Sequence, residues 1–167
     1  LPKGDKLEWV IQKGTELGAH AFIPFMATRS IVKWDAKKAA KKTERLRKIA
    51  KEAAEQSHRT VIPQIDDPVT FNRLLQLAED YDHKLVAYEE EAKQGESLRL
   101  VETLKEIKQG EKLLIVFGPE GGLDEKEIEG LIAQGFRTCS LGPRILRTET
   151  APMYALSAIS YQLELVR

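Results

Sequence analysis

The sequence predicts an α/β fold, a parallel sheet with helices on both faces. Segments with helical apolar spacing alternate with short apolar runs, and those runs are continuous rather than alternating, the longest being residues 113–117. Strands buried on both faces read in that way. Size agrees: 167 residues fold with burial of roughly 68–70% of the surface the unfolded chain exposes, enough for one core without staples. No internal repeat, low-complexity tract or linker divides the chain, so residues 1–167 read as a single domain.

Leu7, Val10, Ile11 and Leu17 recur at helical spacing and Gly18 supplies a stop, so a helix opens the chain. Residues 21–25 form a short buried strand closed by Thr28 and Arg29. A long helix over 35–57 carries the apolar stripe Ala39, Leu46, Ile49, Ala50 and Ala53. Residues 61–65 are β-branched but contain Pro63, which suits an edge strand. A helix over 69–80 leads to a strand at 85–88, and a helix from Leu98 to Gly110 leads to the strand at 113–117. Asp124 and Glu127 make a capping-box pair for a helix ending at Gly135. A strand over 136–141 and an apolar helix from about 151 to 166 complete the chain, with Thr150 as the cap of that helix and Pro152 in its first turn.

The formal charge of zero hides an asymmetry. Residues 1–60 carry fourteen Lys/Arg against seven Asp/Glu, whereas 61–167 carry twelve against nineteen. The densest basic run, from Lys33 to Lys51, lies almost wholly on the long helix; alone it is the solvated face of a helix, and beside a suitable site it is a polyanion surface. No apolar run approaches the roughly 20 residues of a membrane helix. The single Cys139 cannot form an internal disulfide, which favours a reducing, cytoplasmic setting, and it reads as a small core residue. His20, His58 and His83 lack partners at metal-ligand spacing, so no metal is expected. The chain opens on Leu1 rather than Met, and its true N-terminus is expected to lie further upstream.

Two loops stand where ligands bind in open parallel sheets, beyond the carboxyl ends of strands. The first is Phe117-Gly118-Pro119-Glu120-Gly121-Gly122, either a tight turn or a backbone cradle. Neither a dinucleotide fingerprint nor a P-loop is present, and Glu120 at the mouth of the following helix takes the place a phosphate would want. A phosphate-free or cationic ligand fits better. The second loop is Leu141-Gly142-Pro143-Arg144-Ile145-Leu146-Arg147-Thr148-Glu149-Thr150-Ala151. Ile145 and Leu146 in so polar a stretch suggest a wall for a flat apolar ligand. Arg147 and Glu149 are either a loop-fixing ion pair or part of the chemistry.

Together these two loops resemble the paired signature of the RsmE family, bacterial 16S ribosomal RNA uridine N3-methyltransferases of the knotted SPOUT superfamily. Gln12-Lys13-Gly14-Thr15-Glu16-Leu17-Gly18 and Glu52-Ala53-Ala54-Glu55-Gln56-Ser57-His58-Arg59 match as well, so the resemblance covers essentially the whole chain. It implies a C-terminal trefoil knot, a homodimer built through the first and last helices, and an N-terminal PUA-like RNA-binding domain that these residues do not include. It also implies S-adenosylmethionine as cofactor, held against Phe117, Gly118, Glu120, Gly121 and Gly122 of the first loop. From the second loop come Leu141, Gly142, Ile145, Leu146 and Thr148, with Tyr88 and Glu89 at the neighbouring strand exit.

The implied reaction moves a methyl group from sulfonium to the N3 of a flipped-out uridine. A fixed guanidinium suits the negative charge that develops on the flanking carbonyls; Arg147 is the first candidate and Arg59 the second, with Glu149 orienting an arginine or taking the proton through water. Arg29, Lys37, Lys38, Lys41, Arg45 and Arg144 are then the candidates for RNA phosphates. Two other readings share the fold: ribose 2′-hydroxyl methylation, and an RNA-binding or assembly module without turnover.

Overall fold

The computed structural model describes residues 1–88 and 98–166. Helix α1, Lys6–Glu16, closes where Gly18 turns to φ +93° and the Gly18 and Ala19 N–H groups bond back to Thr15 and Gly14 carbonyls. Helix α2, Ala36–Gln56, starts at Asp35, whose carboxylate accepts the Lys38 N–H at 2.8 Å. Its buried face, Leu46, Ala50 and Ala53 with Thr43, meets Ile11 of α1. The opposite face leaves Lys37, Lys38 and Lys41 in solvent.

The run 21–25 is two strands rather than one. β1, Ala21–Phe22, pairs in parallel with β3, Gln64–Ile65, whereas β2, Phe25–Met26, pairs in parallel with β4, Val69–Thr70. Pro24 stands between β1 and β2, has no N–H for a ladder, and gives only its carbonyl, to the Val69 N–H at 2.9 Å. For the same reason the edge segment at 61–65 is a strand only beyond Pro63. The helix expected from residue 69 starts later: Val69 and Thr70 are strand, and the Thr70 hydroxyl caps α3, Phe71–Leu77, which tightens into a 3₁₀ turn at Ala78–Asp80.

The remaining strands form one parallel sheet in the order β6-β5-β7: β5 is His83–Ala87, β6 Leu113–Val116 and β7 Arg137–Cys139. Successive β5 residues serve opposite faces. Val86 packs with Val116, Leu74, Leu131 and Phe136, while Leu85 packs with Leu104, Cys139 and Ala155. Both faces are therefore covered, by α3 and α5 (Glu125–Ala133) on one side and by α4 (Arg99–Glu106) and α6 (Thr150–Ser160) on the other. Burying a side chain such as Leu85, which is 0% exposed, contributes about 1.5–3 kcal/mol. The last helix gives way to a wider π turn at Tyr161–Leu165. Glu149, not Thr150, occupies the cap position of α6, without a side-chain cap bond; Thr150 is already helical and Pro152 sits in the first turn. Among the described residues no helix is long and apolar enough to cross a membrane.

Candidate functional site

The loop after β6 and the loop after β7 line one cleft of about 900 Å³ at the carboxyl ends of the three-stranded sheet. β5 lies between β6 and β7, so its exit, Ala87 and Tyr88, floors the cleft; the Tyr88 N–H extends the ladder to the Cys139 carbonyl at 3.0 Å. Phe117, Gly118, Glu120, Gly121 and Gly122 line one wall, and Leu141, Gly142, Ile145, Leu146, Arg147 and Thr148 the other. Glu89 lies outside the described residues.

Backbone geometry explains two of the glycines. Gly122 has φ +72° and Gly142 φ +90°, conformations in which a side chain is strained. Leu146 packs on the core beneath, whereas Ile145 is 73% exposed, an aliphatic side chain standing open in the cleft. The start of α5 is already closed. Asp124 accepts the Lys126 N–H at 3.0 Å and Glu127 accepts the Asp124 N–H at 2.9 Å, the capping box the spacing predicts. The other oxygen of the buried Glu127 carboxylate accepts the N–H and hydroxyl of Thr28, at 2.8 and 3.1 Å, which fastens the loop after β2 to the first turn. Arg29, next in that loop, reaches the Gly121 carbonyl at 3.4 Å and Asp124 at 3.8 Å, and Arg29 and Arg144 both border the cleft.

Glu120 does not stand at the mouth of α5. Its Oε1 turns the other way and accepts the Lys3 N–H at 3.0 Å and the Lys6 ammonium at 3.3 Å. Burial works against its ionisation, but these donors and its own N–H outweigh that and hold the carboxyl below the usual glutamate range. The same ammonium lies 3.3 Å from Glu149 Oε2. Glu149 is likewise held low, by its own backbone N–H first and then by Lys6 and Arg147, against the pull of burial. Lys6 has no signal in the sequence, since nothing in the spacing of α1 says which loops its first turn will meet.

The two arginine candidates part company. Arg147 is exposed on the cleft wall, and its carbonyl accepts the Thr150 and Ala151 N–H groups that start α6. Arg59 does not line the cleft. His58, at φ 56°, turns the chain out of α2, and the Arg59 guanidinium then donates to the carbonyls of Ala19 at 2.7 Å, Thr15 at 2.9 Å and Gly18 at 3.4 Å, at the end of α1. Of the basic candidates on α2, Arg45 pairs with both oxygens of Glu8, at 2.7 and 2.8 Å, whereas Lys37, Lys38 and Lys41 have no ion pair among the described residues. Among those residues no group of three or more His, Cys, Asp or Glu could hold a metal ion; His83 instead bonds Glu111 at 2.8 Å.

Known proteins resemble the chain along its whole length. The sequence profile of the RNA methyltransferase domain matches residues 1–160. Ribosomal RNA small subunit methyltransferase E of Bacillus subtilis is 65% identical over 167 residues, all of this chain and 65% of that protein. The protein of the same name from a Synechocystis species is 38% identical over 164 residues, 98% of this chain and 52% of its own. A crystal structure of Ribosomal RNA small subunit methyltransferase E from Neisseria gonorrhoeae bound to S-adenosyl methionine superposes with a TM-score of 0.83 at 31% identity, over 98% of this chain and 64% of that one. This chain thus spans about half to two thirds of the length of these relatives.

Proposed function

The chain belongs to the RNA methyltransferase domain family, and from that premise we propose that it transfers a methyl group from S-adenosylmethionine to the N3 of a uridine in 16S ribosomal RNA of the small subunit. The observation that carries this reading is the meeting of the two glycine-bearing loops in one cleft, with Ile145 uncovered and Arg147 beside it. The residues present fit that cofactor. An exposed aliphatic side chain suits a flat base, main-chain groups at Gly118, Gly121 and Gly142 suit polar edges, and the ionised Glu120 in the cleft wall suits a cation. A polyphosphate fits poorly, because the α5 N–H groups it would need are taken by Asp124 and Glu127.

The cofactor, when bound, supplies a methyl group on a positively charged sulfur. The chain supplies alignment and charge. Leu141, Ile145, Leu146 and Thr148 form one side of the holding wall and Phe117, Gly118, Glu120 and Gly122 the other, with Tyr88 below. Arg147 faces the acceptor and stabilises negative charge on the uracil carbonyls as N3 gives up its proton. Glu149, held ionised two residues further on, receives the N3 proton through water, which leaves N3 with the electron pair that would take the methyl group as its bond to sulfur breaks and a neutral thioether remains. Arg59 acts as a tie between α1 and α2 rather than at the reacting atoms. Arg29 and Arg144 at the cleft, with Lys37, Lys38 and Lys41, grip RNA phosphates, and Arg45 adds its field while paired to Glu8.

We read residues 1–167 as one SPOUT domain whose last segment threads a trefoil knot, working in the cytoplasm as a homodimer through the first and last helices. The exposed Trp9 of α1 and Tyr154 and Tyr161 of the C-terminal stretch support the dimer, and sedimentation of the purified chain tests it. The reaction is tested by incubating the chain with S-adenosylmethionine and small ribosomal subunits and mapping the product by mass spectrometry. Methyl on a uracil base at N3 upholds the reading, methyl on a ribose transfers the chemistry to the 2′-hydroxyl, and cofactor binding without methylation leaves an RNA-binding module.

A further inference from the structure

Building on the methyl-transfer reading, we propose that Lys6 is a positioning residue of this site, its ammonium clasping Glu120 in one wall of the cleft to Glu149 in the turn that follows the other wall. The geometry is direct. Lys6 Nζ lies 3.3 Å from Glu120 Oε1 and 3.3 Å from Glu149 Oε2, and it lines the cleft itself. It comes from α1, an element that belongs to neither wall, so the contact joins three separate parts of the chain.

An exposed ion pair usually contributes little, and three observations set this one apart. The Glu149 oxygen facing Lys6 is shielded from solvent and has no hydrogen bond. The ammonium beside it therefore adds, after the residue's own N–H, to the compensation of this carboxylate, because a shielded carboxylate oxygen without compensation is costly. The Glu120 oxygen is shared between Lys6 and the Lys3 N–H, so the first residue of α1 and the segment ahead of it hold the first wall with two donors. Finally, Glu149 lies two residues beyond Arg147, whose carbonyl anchors the first N–H groups of α6. Fixing Glu149 therefore fixes the turn that presents Arg147. Both carboxyls are held low in part by Lys6, and Lys6 is in turn raised, chiefly by Glu120. Without the ammonium, two carboxylates share a small volume; one takes up a proton or the walls part.

Lys6→Met and Lys6→Arg test this beside the unchanged chain. Calorimetric titration with S-adenosylmethionine is expected to show Lys6→Met binding about five- to tenfold more weakly, in the range of one or two ion pairs, with Lys6→Arg close to the unchanged protein. The acidic limb of the methyl-transfer pH profile is expected to move to higher pH in Lys6→Met and not in Lys6→Arg, because each carboxyl loses the cation that lowers it. Unaltered affinity and pH limb in Lys6→Met overturn the proposal, as does failure of Lys6→Arg to restore them. If the unchanged chain binds S-adenosylmethionine but methylates nothing, the methyl-transfer reading fails while the affinity comparison still judges the clasp. A chain that binds no S-adenosylmethionine overturns both.

Discussion

The layer made by α1 and α2 and the cleft at the end of the three-stranded sheet are both rich in arginine, and they use it in opposite ways. In the helical layer, Arg45 grips Glu8, Arg47 bonds the Ile65 carbonyl and Asp67, and Arg59 sits on three carbonyls at the end of α1. In the cleft, Arg144 and Arg147 are exposed and have no ion pair or side-chain hydrogen bond among the described residues. A guanidinium whose donors rest on backbone carbonyls is part of the framework. One left unengaged beside an uncovered aliphatic side chain is available to a ligand. The difference separates two residues that the linear sequence offers as alternatives for one role.

The sharpest way to break this contrast is Arg147→Ala. Methyl transfer is expected to fall about 10²- to 10³-fold, the cost of removing one preorganised electrostatic group, with the thermal midpoint unchanged; turnover near that of the unchanged chain would discard the assignment. Arg59→Met should do the reverse: a stability loss of about 1–3 kcal/mol in urea unfolding, from carbonyls left without their donor, and S-adenosylmethionine affinity as before. Ile145→Ala, at a side chain too exposed to matter for folding, is expected to weaken cofactor binding by roughly tenfold, as removing apolar cover from a flat base would; equal affinity in calorimetry would mean that nothing covers it. Reversing Lys37, Lys38 and Lys41 to Glu should reduce RNA affinity and flatten its log–log salt dependence by about two to three, one for each phosphate no longer neutralised; an unchanged slope removes α2 from the RNA surface.

The smallest effect concerns acid. Glu111 is held below the usual glutamate range, first by its hydrogen bond from His83 and then by the Lys108 N–H. A depressed folded-state value means stabilisation that is present above the ordinary glutamate range and lost as pH falls through the lowered value. His83→Asn should therefore lower the neutral thermal midpoint slightly and flatten its fall on the acid side, so that the two proteins converge as pH drops through that window.

The three-stranded sheet is legible in the sequence because a strand buried on both faces has no polar alternation to hide it: 85–88 and 113–117 miss the observed β5 and β6 only at their ends. The α5 capping box is legible because Asp124 and Glu127 satisfy each other's backbone within four residues. The strands around Pro24 and Pro63 are less so, because each is two residues long and paired with a distant partner. In the cleft, the glycine and proline content of both loops announces itself. Lys6 does not, and neither does the direction of Glu120, since both depend on where α1 docks. Arg59 is opaque for a further reason: its acceptors are main-chain carbonyls, which every residue has.

The Glu127 carboxylate divides its two oxygens between the first turn of α5 and Thr28. Arg29 and the glycine wall are thereby bolted to one rigid block. If the nucleic acid pulls on Arg29 while the methyl donor leans on Gly121, each partner strains or relieves the mounting of the other. Thermodynamic reciprocity then requires that whatever factor the RNA adds to the grip on the donor, the donor returns to the RNA.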